Sequence, residues 1–391
     1  MKIHIPEEWM IIRLEQLASK ISDGIHSTPK YADTSPIYFI NGNNLKNGKI
    51  IINGSTKSVD EEDAPRHYRE LTDRTILMSI NGTIGSLAFY RGESVVLGKS
   101  ACYINVKKNA DLEFVYYALS GRRVQRFYES ELTGSTIRNL SLKSIKNTKV
   151  HLPPLPEQKA IADLLSTWDE AIEKIERLIQ VKEKRFKWLL RELISEPRNT
   201  QKDAKWKKVK LGELCKVSKG KQLNVAHMKA DGEYYALNGG IEPSGRTDDW
   251  NTEAETITIS EGGNSCGYVN YNTERFWSGG HCYSLLSLKK NVDKHYLYFY
   301  LKMNEPKLMK LRVGSGLPNI QKKDVDKFIV AVPPFPEQQK IAETLSSAQH
   351  EIDLLKQIAD KYKTQKRGLM QKMLTGEWRV KPEIVNQYME A

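Results

Sequence analysis

Cysteine is scarce in this chain of 391 residues, and its few copies are not spaced for pairing. Cys102, Cys215, Cys266 and Cys282 match neither a disulfide framework nor a zinc site, so we expect reduced thiols in a cytoplasmic protein. No apolar run is long enough to span a membrane, and residues 1–8 lack the apolar core of a signal peptide. The sequence therefore argues against a disulfide-rich secreted scaffold and against a membrane-spanning protein.

Catalytic signatures are also missing. The segment Asn81–Gly85 has the glycines of a phosphate-binding loop but lacks its lysine, no Gly-x-Gly-x-x-Gly follows a strand, and there is no Asp/Asn-Pro-Pro-Tyr loop of an amino-methyltransferase. Glu157-Gln158-Lys159 resembles the end of a nuclease site, but its second copy, Glu337-Gln338-Gln339, lacks the lysine. The pair His281-Cys282 with Cys266 matches no common metal spacing. We expect neither catalytic residues nor metal ligands in this chain.

The chain does contain a long internal repeat. Pro153-Pro154-Leu155-Pro156-Glu157-Gln158 recurs 180 residues later as Pro333-Pro334-Phe335-Pro336-Glu337-Gln338. The same offset relates Cys102-Tyr103 to Cys282-Tyr283, whereas the opening segments at Trp9 and Trp206 are 197 residues apart. The protein is therefore two copies of one unit, and the second copy is shorter in its front half.

Each copy opens with short apolar segments separated by turn residues, which predicts strands. A helical stretch is predicted near residues 112–128 in the first copy and near residues 294–311 in the second. Each copy therefore combines strands with a helix, and we predict that each is a compact domain. The predicted fold class is α+β, with two globular α/β-type domains joined by two long helices that form an antiparallel coiled coil in a pseudo-twofold internal repeat. The predicted boundaries are 1–152 for the first domain, 153–198 for the first long helix, 199–332 for the second domain, 333–378 for the second long helix and 379–391 for the C-terminal tail.

Long helices are predicted after both proline-rich motifs, because apolar residues recur there at alternating steps of four and three. A helix over residues 157–195 would be roughly 58 Å long, more than one small domain can cover. Antiparallel packing of the two copies is the preferred interpretation, and pairing with another chain is the alternative. The predicted seam residues are Ile161, Leu165, Trp168, Ile172, Ile175, Ile179, Ile341, Leu345, Ile352, Leu355 and Leu369.

The end of the chain imitates the start of a copy. Gly376-Glu377-Trp378-Arg379-Val380 follows the second helix much as Trp206-Lys207-Lys208-Val209 follows the first. The pattern resembles the opening of a third copy that stops. We therefore predict a circular arrangement in which the C-terminal segment packs where the chain begins.

Positive charge is concentrated in the two domains. The formal net charge is +12, and its excess lies in residues 1–152 and 199–332, whereas the helical segments are near neutral. Two basic modules indicate two contacts with a polyanion. A mildly basic surface without such a partner is the alternative.

Polar, glycine-bearing loops recur at matching places, near residues 79–85 and 133–139 and near 260–267 and 313–319. Glycine lets a backbone approach a ligand closely, and polar side chains supply donors and acceptors for DNA. Ordinary turn chemistry, or a solvated helix face for the basic clusters, is the alternative. The candidate DNA-binding residues are Ser79, Asn81, Thr83, Ser135, Thr136, Arg138, Asn139, Arg122, Arg123, Arg126, Asn264, Ser265, Ser315, Asn319, Lys302, Lys307, Lys310 and Arg312.

These features together resemble the specificity (S) subunit of type I restriction–modification systems, over nearly the whole chain. That family pairs divergent basic domains with a Leu/Val-Pro-Pro-Leu/Phe-Pro-Glu-Gln motif and a heptad helix. The second copy departs from the pattern where Gly263–Gly267 replaces Asn81–Gly85. The segments that carry the resemblance are Leu152–Ala162, Val332–Ala342, Gly134-Ser135, Gly314-Ser315, Asn81–Gly85 and Leu374–Trp378.

The resemblance implies two target-recognition domains that read the halves of a split, asymmetric double-stranded DNA target. The helices would fix the gap between half-sites and dock two methyltransferase (M) subunits, which carry S-adenosylmethionine and methylate adenine. Two restriction/translocase (R) subunits would join for ATP- and magnesium-dependent cleavage. This chain would hold no cofactor and no active site. A coiled-coil scaffold whose basic domains bind RNA or proteins is the alternative, and a self-sufficient nuclease is a third.

Overall fold

The computed structural model of the chain describes residues 6–134, 138–195, 206–314 and 318–389. Two compact units make up the chain, one of Met1–Ile175 with Ile358–Ala391 and the other of Glu176–Gln357. Each unit holds one globular domain, called here the first domain (residues 6–152) and the second domain (residues 206–332). Both domains mix helices with sheets, as the sequence predicted.

In the first domain, the central sheet has the strand order β2-β11-β8-β9 and a second sheet has the order β10-β4-β7-β3. Every side chain of β8 and β11 is buried, which explains why both strands are mostly apolar. The strands are β1 (Met10–Arg13), β2 (Ala18–Asp23), β3 (Tyr31–Ala32), β4 (Tyr38–Ile40), β5 (Leu45–Lys46), β6 (Lys49–Ile50), β7 (Ser58–Val59), β8 (Thr75–Ser79), β9 (Leu87–Phe89), β10 (Val95–Leu97), β11 (Ala101–Val106) and β12 (Lys149–Leu152). The helices of this part of the chain are α1 (Leu14–Leu17), α2 (Leu112–Ser120), α3 (Arg122–Ser130), α4 (Leu142–Lys146) and the long α5 (Leu155–Ile194).

The second domain repeats this plan, with a central sheet of order β14-β20-β17-β18 and a smaller one of order β16-β15-β19. Its strands are β13 (Lys207–Lys210), β14 (Lys216–Lys219), β15 (Tyr234–Leu237), β16 (Gly245–Thr247), β17 (Thr256–Ser260), β18 (Val269–Asn272), β19 (Phe276–Ser278), β20 (Cys282–Leu286) and β21 (Ile329–Val332). The remaining helices are α6 (Leu211–Leu214), α7 (Lys294–Met303), α8 (Glu305–Met309), α9 (Lys322–Asp326), the long α10 (Phe335–Met373) and α11 (Pro382–Asn386). None of the described helices combines the length and apolarity needed to cross a membrane.

The two predicted helical stretches are each broken, which corrects the sequence prediction. Gly121 has an extended backbone (φ −65°, ψ 143°) that ends α2 and begins α3. In the second domain Asn304 ends α7, and its side chain donates a hydrogen bond to the carbonyl of Tyr300. Pro306 then occupies the first turn of α8, where its missing N–H costs nothing.

The pairing of the central strands also corrects the predicted offset of 180 residues between Cys102-Tyr103 and Cys282-Tyr283. Ala101 pairs with Ser79 in the first domain, whereas Cys282 pairs with Ser260 in the second. The offset in these strands is therefore 181, so Cys102 is equivalent to Tyr283 rather than to Cys282. Matching Cys-Tyr dipeptides misled the sequence comparison, because a shift of one residue in a strand exchanges its two faces.

The repeated motif fastens each domain to its long helix through a buried glutamine. The side chain of Gln158 accepts from the backbone N–H of Asp111 at 2.9 Å and donates to the carbonyl of Pro153 at 2.7 Å. Gln338 makes the same two bonds, to Asp293 at 2.9 Å and Pro333 at 2.9 Å. The motif is therefore more than a helix start, because it also ties down the N-cap residue of α2 or α7.

In both units α5 and α10 lie side by side and antiparallel. In the first unit Lys366 pairs with Asp169 at 2.5 Å, and the Trp168 ring contacts the Tyr362 ring at 5.4 Å between centroids. In the second unit Lys182 pairs with Glu351 at 2.5 Å, and Lys356 with Glu183 at 2.7 Å. The two lysines that interrupt the apolar pattern, Lys182 and Lys366, thus bridge the helices. Of the predicted seam residues, Ile161, Leu165, Ile172, Ile341, Leu345 and Ile352 are buried, and Trp168, Ile175, Ile179, Leu355 and Leu369 are partly buried.

The C-terminal segment packs on the start of the chain within the first unit. The Arg379 guanidinium donates to Glu157 at 2.5 and 2.9 Å and to Glu8 at 3.2 Å. Glu157 also accepts from Nε1 of Trp9 at 3.1 Å. Gly376 has a positive φ of 77°, and a Cβ there would lie 2.5 Å from Cδ of Pro6, so only glycine fits. The long helices end at Ile194 and Met373, earlier than the predicted 198 and 378.

Candidate functional site

Two polar loops of the first domain meet at one edge of its central sheet. The loop after β8 and the segment near residue 139 form a backbone bridge between Asn81 and Asn139, and Thr133 bridges to Asn139 as well. Directly beneath, the N–H of Leu140 donates to the carbonyl of Ile80 at 2.9 Å. Residues separated by about sixty positions in sequence are therefore held as one surface.

The second domain builds the same surface. Gly262 bridges to Asn319, and Val313 also bridges to Asn319. The N–H of Ile320 donates to the carbonyl of Glu261 at 2.8 Å, as Leu140 does to Ile80 in the first domain. The recurrence is thus structural, because both loops and the bond that supports them are reproduced.

Glycine is favoured at the tip of each loop, where Gly82 is exposed and Gly263 is partly exposed. Gly82 has φ of +72° and Gly263 has φ of +74°, and a Cβ at either position would meet no atom within 4 Å. The positive φ disfavours other residues, while the open space leaves the backbone accessible. Each tip can therefore approach a ligand closely.

The predicted contact residues of the first domain divide into exposed and supporting groups. Arg138, Asn139 and Thr83 are exposed, and Oγ1 of Thr83 also donates to the carbonyl of Gly42 at 3.3 Å. Ser79 is fully buried and its Oγ donates to the Asn81 carbonyl at 3.1 Å. The prediction that Ser79 contacts DNA is therefore wrong, because its hydroxyl holds the loop from inside.

Asn81 combines both kinds of environment. Asn81 as a whole is partly exposed, yet its side-chain oxygen Oδ1 is buried and has no hydrogen-bond partner among the described residues. A cavity of about 340 Å³, lined by Gly82 and the residues that follow it, opens between the loop and α3. Polar residues around that cavity include Thr83, Gln125, Glu129 and Arg138. This arrangement offers hydrogen-bonding groups to a polar ligand.

In the second domain Asn264 and Asn319 are exposed, and Ser265 is partly buried with its Oγ donating to the Gly239 carbonyl at 2.6 Å. Ser265 is therefore placed mainly to support the loop. The predicted contacts Ser135, Thr136 and Ser315 lie outside the described residues.

The predicted basic clusters are mostly free to meet a ligand. Arg122, Arg123 and Arg126 on α3 are exposed, as are Lys307, Lys310 and Arg312 in the second domain. Lys302 is the exception. It pairs with Glu305 at 2.6 Å and lies 3.7 Å from the centroid of the Tyr268 ring, so its prediction as a phosphate contact is corrected to an internal role.

One arginine of α3 rests on a buried histidine. Nη1 of Arg123 donates to Nδ1 of His151 at 3.0 Å, and His151 is only 5% exposed. Burial, and then the nearby Arg123 charge, lower the pKa of His151 to about 4. A neutral imidazole can accept the arginine bond, so His151 positions Arg123 at neutral pH.

Sequence reasoning missed a charged cluster at the base of the second loop surface. Glu261 is nearly buried and receives hydrogen bonds from Lys219, Tyr283 and His281. These four residues come from three segments of the sequence, because only His281 and Tyr283 are close together, and the strand register brings the three segments into contact. Within the described ranges, no group of histidine, cysteine, aspartate and glutamate is arranged to hold a metal ion.

The model of the type I restriction modification DNA specificity domain matches residues 6–183 and 203–363, which is one match for each copy of the repeat. The chain belongs to this family. The resemblance stated from the sequence is confirmed, and the doubled loops are features of two DNA specificity domains.

Relatives in this family match this chain over different lengths. The putative type I restriction enzyme MjaX specificity subunit of Methanocaldococcus jannaschii is 24% identical over 96% of this chain and 95% of its own. The putative type I specificity subunit S.MpnORF638P of Mycoplasma pneumoniae is 34% identical over 40% of this chain and 42% of its own. A type I restriction–modification S subunit from M. genitalium has the same fold, with a TM-score of 0.68 at 21% identity over 96% and 98% of the two chains.

Proposed function

We propose that this chain is the non-catalytic reader of a type I restriction–modification complex. Each domain binds one half of a bipartite, asymmetric double-stranded DNA target, and the long helices dock two methyltransferase subunits. Those subunits supply S-adenosylmethionine, and restriction subunits supply the ATP- and magnesium-dependent steps, so this chain needs no cofactor of its own. The complex acts in the cytoplasm, where its DNA target lies.

The observation that carries this proposal is the same loop surface built twice on one chain. Asn139 and Asn319 each join two polar loops at an edge of a central sheet, with an open glycine at each tip. Exposed arginines and lysines accompany both surfaces. Phosphate contacts position a protein on DNA, and polar side chains at base edges specify the sequence. Two weak readers on one scaffold also gain affinity through effective concentration.

Docking of a partner on the helices is supported by an apolar face of α5 in the second unit. Leu178, Val181 and Trp188 are 42%, 61% and 58% exposed. At 3.6 residues per turn these positions fall on one side of the helix. Exposed large apolar residues grouped in this way are typical of protein–protein contact sites.

The proposal is tested by the adenine methylation map of cells that express this chain with its neighbouring methyltransferase subunit. Cells that lack only this chain are the control. We expect a split motif that disappears with the chain, which would also give both half-sites and the gap. An unchanged map, with the methyltransferase shown to be active, would reject the reader and favour a scaffold that binds RNA or proteins.

Docking on α5 gives a second prediction. Trp188→Ala is expected to weaken binding of the methyltransferase subunit by at least tenfold, because large aromatic anchors commonly contribute about 2 kcal/mol or more to an interface. The melting temperature of the free chain should change little, since the side chain is mostly exposed. Affinity is measured by titrating the purified chain with the purified methyltransferase subunit.

Lys187→Ala is the matched control, because Lys187 is also exposed on α5 but lies on the other side of the helix. It should bind the methyltransferase subunit as the natural chain does. Equal affinities for the natural chain and Trp188→Ala would show that this face is not the docking surface.

A further inference from the structure

The charged cluster of the second domain is built around one carboxylate. Oε1 of Glu261 accepts from Nζ of Lys219 at 2.6 Å and from the Tyr283 hydroxyl at 3.0 Å. Oε2 of Glu261 lies 3.3 Å from Nδ1 of His281. The Glu261 side chain is 9% exposed, whereas Lys219 and His281 are 50% and 61% exposed. A buried anion therefore holds two donors at the surface.

This cluster lies directly beneath the loop surface of the second domain. The backbone N–H of Glu261 donates to the carbonyl of His281 at 2.9 Å, and the backbone carbonyl of Glu261 accepts from the N–H of Ile320 at 2.8 Å. Gly262, the next residue, bridges to Asn319. Lys219 and His281 therefore flank the bridged loops rather than lying elsewhere on the domain.

Charge and hydrogen bonding keep Glu261 ionised in this position. Burial opposes ionisation, but the bonds from Lys219 and Tyr283, the Lys219 charge and the His281 bond together lower the pKa of Glu261 below its ordinary value. Burial, and then the bond to Glu261, raise the pKa of Tyr283. Tyr283 thus stays a donor and Glu261 an acceptor, so the geometry of the cluster is stable at neutral pH.

The first domain has different chemistry at every equivalent position. The bond from Ile80 to the Ser100 carbonyl corresponds to the bond from Glu261 to the His281 carbonyl. The strand pairing then fixes the other two equivalences. The residues that take the places of Lys219, Glu261, His281 and Tyr283 are Asp23, Ile80, Ser100 and Cys102.

The difference includes a reversal of charge. Asp23 carries a carboxylate where Lys219 carries an ammonium, and Asp23 pairs with His26 at 2.8 Å instead of with a buried acid. Two copies of one fold therefore present opposite charges beside otherwise equivalent loops. A difference of this kind would make the two half-sites of an asymmetric target unlike each other.

We propose that Lys219 and His281, aligned by Glu261 as a positioning residue, contact base edges in the second half-site and set the base preference there. This inference rests on the proposed function. The Lys219 ammonium can donate to the acceptors that guanine shows in the major groove, and the His281 imidazole, whose Nδ1–H is held by Glu261, presents Nε2 to accept from the amino group of adenine or cytosine. Anchoring on one carboxylate restricts the rotamers of both donors, and restriction of this kind favours discrimination between bases over general attraction.

The test measures binding of the complex of this chain with its methyltransferase subunit to three DNA duplexes. One carries the complete target taken from the methylation map, and each of the others has one half-site replaced. For Lys219→Gln and His281→Gln we expect the preference for the correct second half-site to fall roughly tenfold. The preference for the correct first half-site should stay unchanged.

Lys216→Gln is the matched control, because Lys216 is an exposed lysine at the opposite end of the same strand, β14. It should leave both preferences unchanged. Glu261→Gln removes the negative charge of the anchor, and the acceptor for one of the two donors, without changing the size of the side chain, and is expected to reduce the second preference as the two surface variants do. Lys219 and His281 are at least half exposed, and the amide of glutamine can still donate to Glu261, so their variants should stay folded and decide the test even if Glu261→Gln is less stable.

An equal loss of affinity for all three duplexes would overturn the inference, because it is the signature of a phosphate contact. Unchanged preferences in both surface variants would overturn it as well. Failure of the natural complex to discriminate against either replaced half-site would instead reject the proposed function. The two failures are therefore distinguishable.

Discussion

Leu345→Asp is expected to destabilise the second unit by about 4–5 kcal/mol or more. Leu345 is fully buried and belongs to the same core as Leu211, Leu297 and Val330 of the second domain. The substitution removes apolar packing, which alone costs about 2–5 kcal/mol, and it also places an ionisable group inside an apolar core. We expect a large fall in the urea midpoint and loss of hydrogen-exchange protection in Glu176–Gln357.

Two other leucines of α10 make this a graded series. Leu355, also predicted as a seam residue, is partly buried, so Leu355→Asp should cost several kcal/mol but less than Leu345→Asp. Leu354 is its neighbour and is 43% exposed, so Leu354→Asp should cost less than about 1 kcal/mol. Equal stabilities across the three variants, with unchanged assembly with the methyltransferase subunit, would contradict the seam as predicted.

The long helices were predictable because their signals are local and repeated. Apolar residues at steps of four and three place Ile161, Leu165 and Ile172 on one face, and all three are buried. The lysine at position 366 breaks the pattern, and it forms an ion pair with Asp169. The sequence marked it only as an exception, because the partner lies about 200 residues away and no local pattern specifies it.

The loop surfaces were predictable in location but not in the role of each side chain. Ser79 and Asn81 are two residues apart and chemically similar in sequence, yet Ser79 is fully buried and Asn81 is partly exposed. Alternation along a strand would place residues two apart on the same face, so the difference arises because β8 ends at Ser79 and Asn81 lies in the loop beyond it. The sequence does not define that end closely enough to separate the two.

The cluster at Glu261 could not be predicted either, because its residues come from segments that are distant in sequence. Its members come from two strands and the loops beside them, and they are adjacent only in the register of β14, β17 and β20. Aligning the repeat by its Cys-Tyr dipeptides displaces that register by one residue and hides the equivalence of Glu261 with Ile80. Topology therefore reveals the difference between the copies that sequence similarity conceals.

Glu157→Ala is expected to destabilise the first unit by about 2–4 kcal/mol, because it leaves the buried N–H of Trp9 without its acceptor and breaks the ion pair with the half-exposed Arg379. Glu157 is 2% exposed and receives bonds from Trp9 and from two nitrogens of Arg379. Its bond with Arg379 leads the causes that raise the pKa of that guanidinium. Glu157 joins Trp9, near the start of the chain, to Arg379, near its end. Loss of these hydrogen bonds should therefore also release the C-terminal segment.

The repeat supplies the control for this prediction. Glu337 is equivalent to Glu157 and accepts from Trp206 at 3.3 Å, but no lysine or arginine of the described ranges pairs with it. Glu337→Ala should therefore cost only about 1 kcal/mol. Urea unfolding compares the two variants, and hydrogen exchange over residues 376–389 reports release of the segment. Equal costs, with protection of that segment retained in Glu157→Ala, would show that Arg379 does not hold the two ends of the chain together.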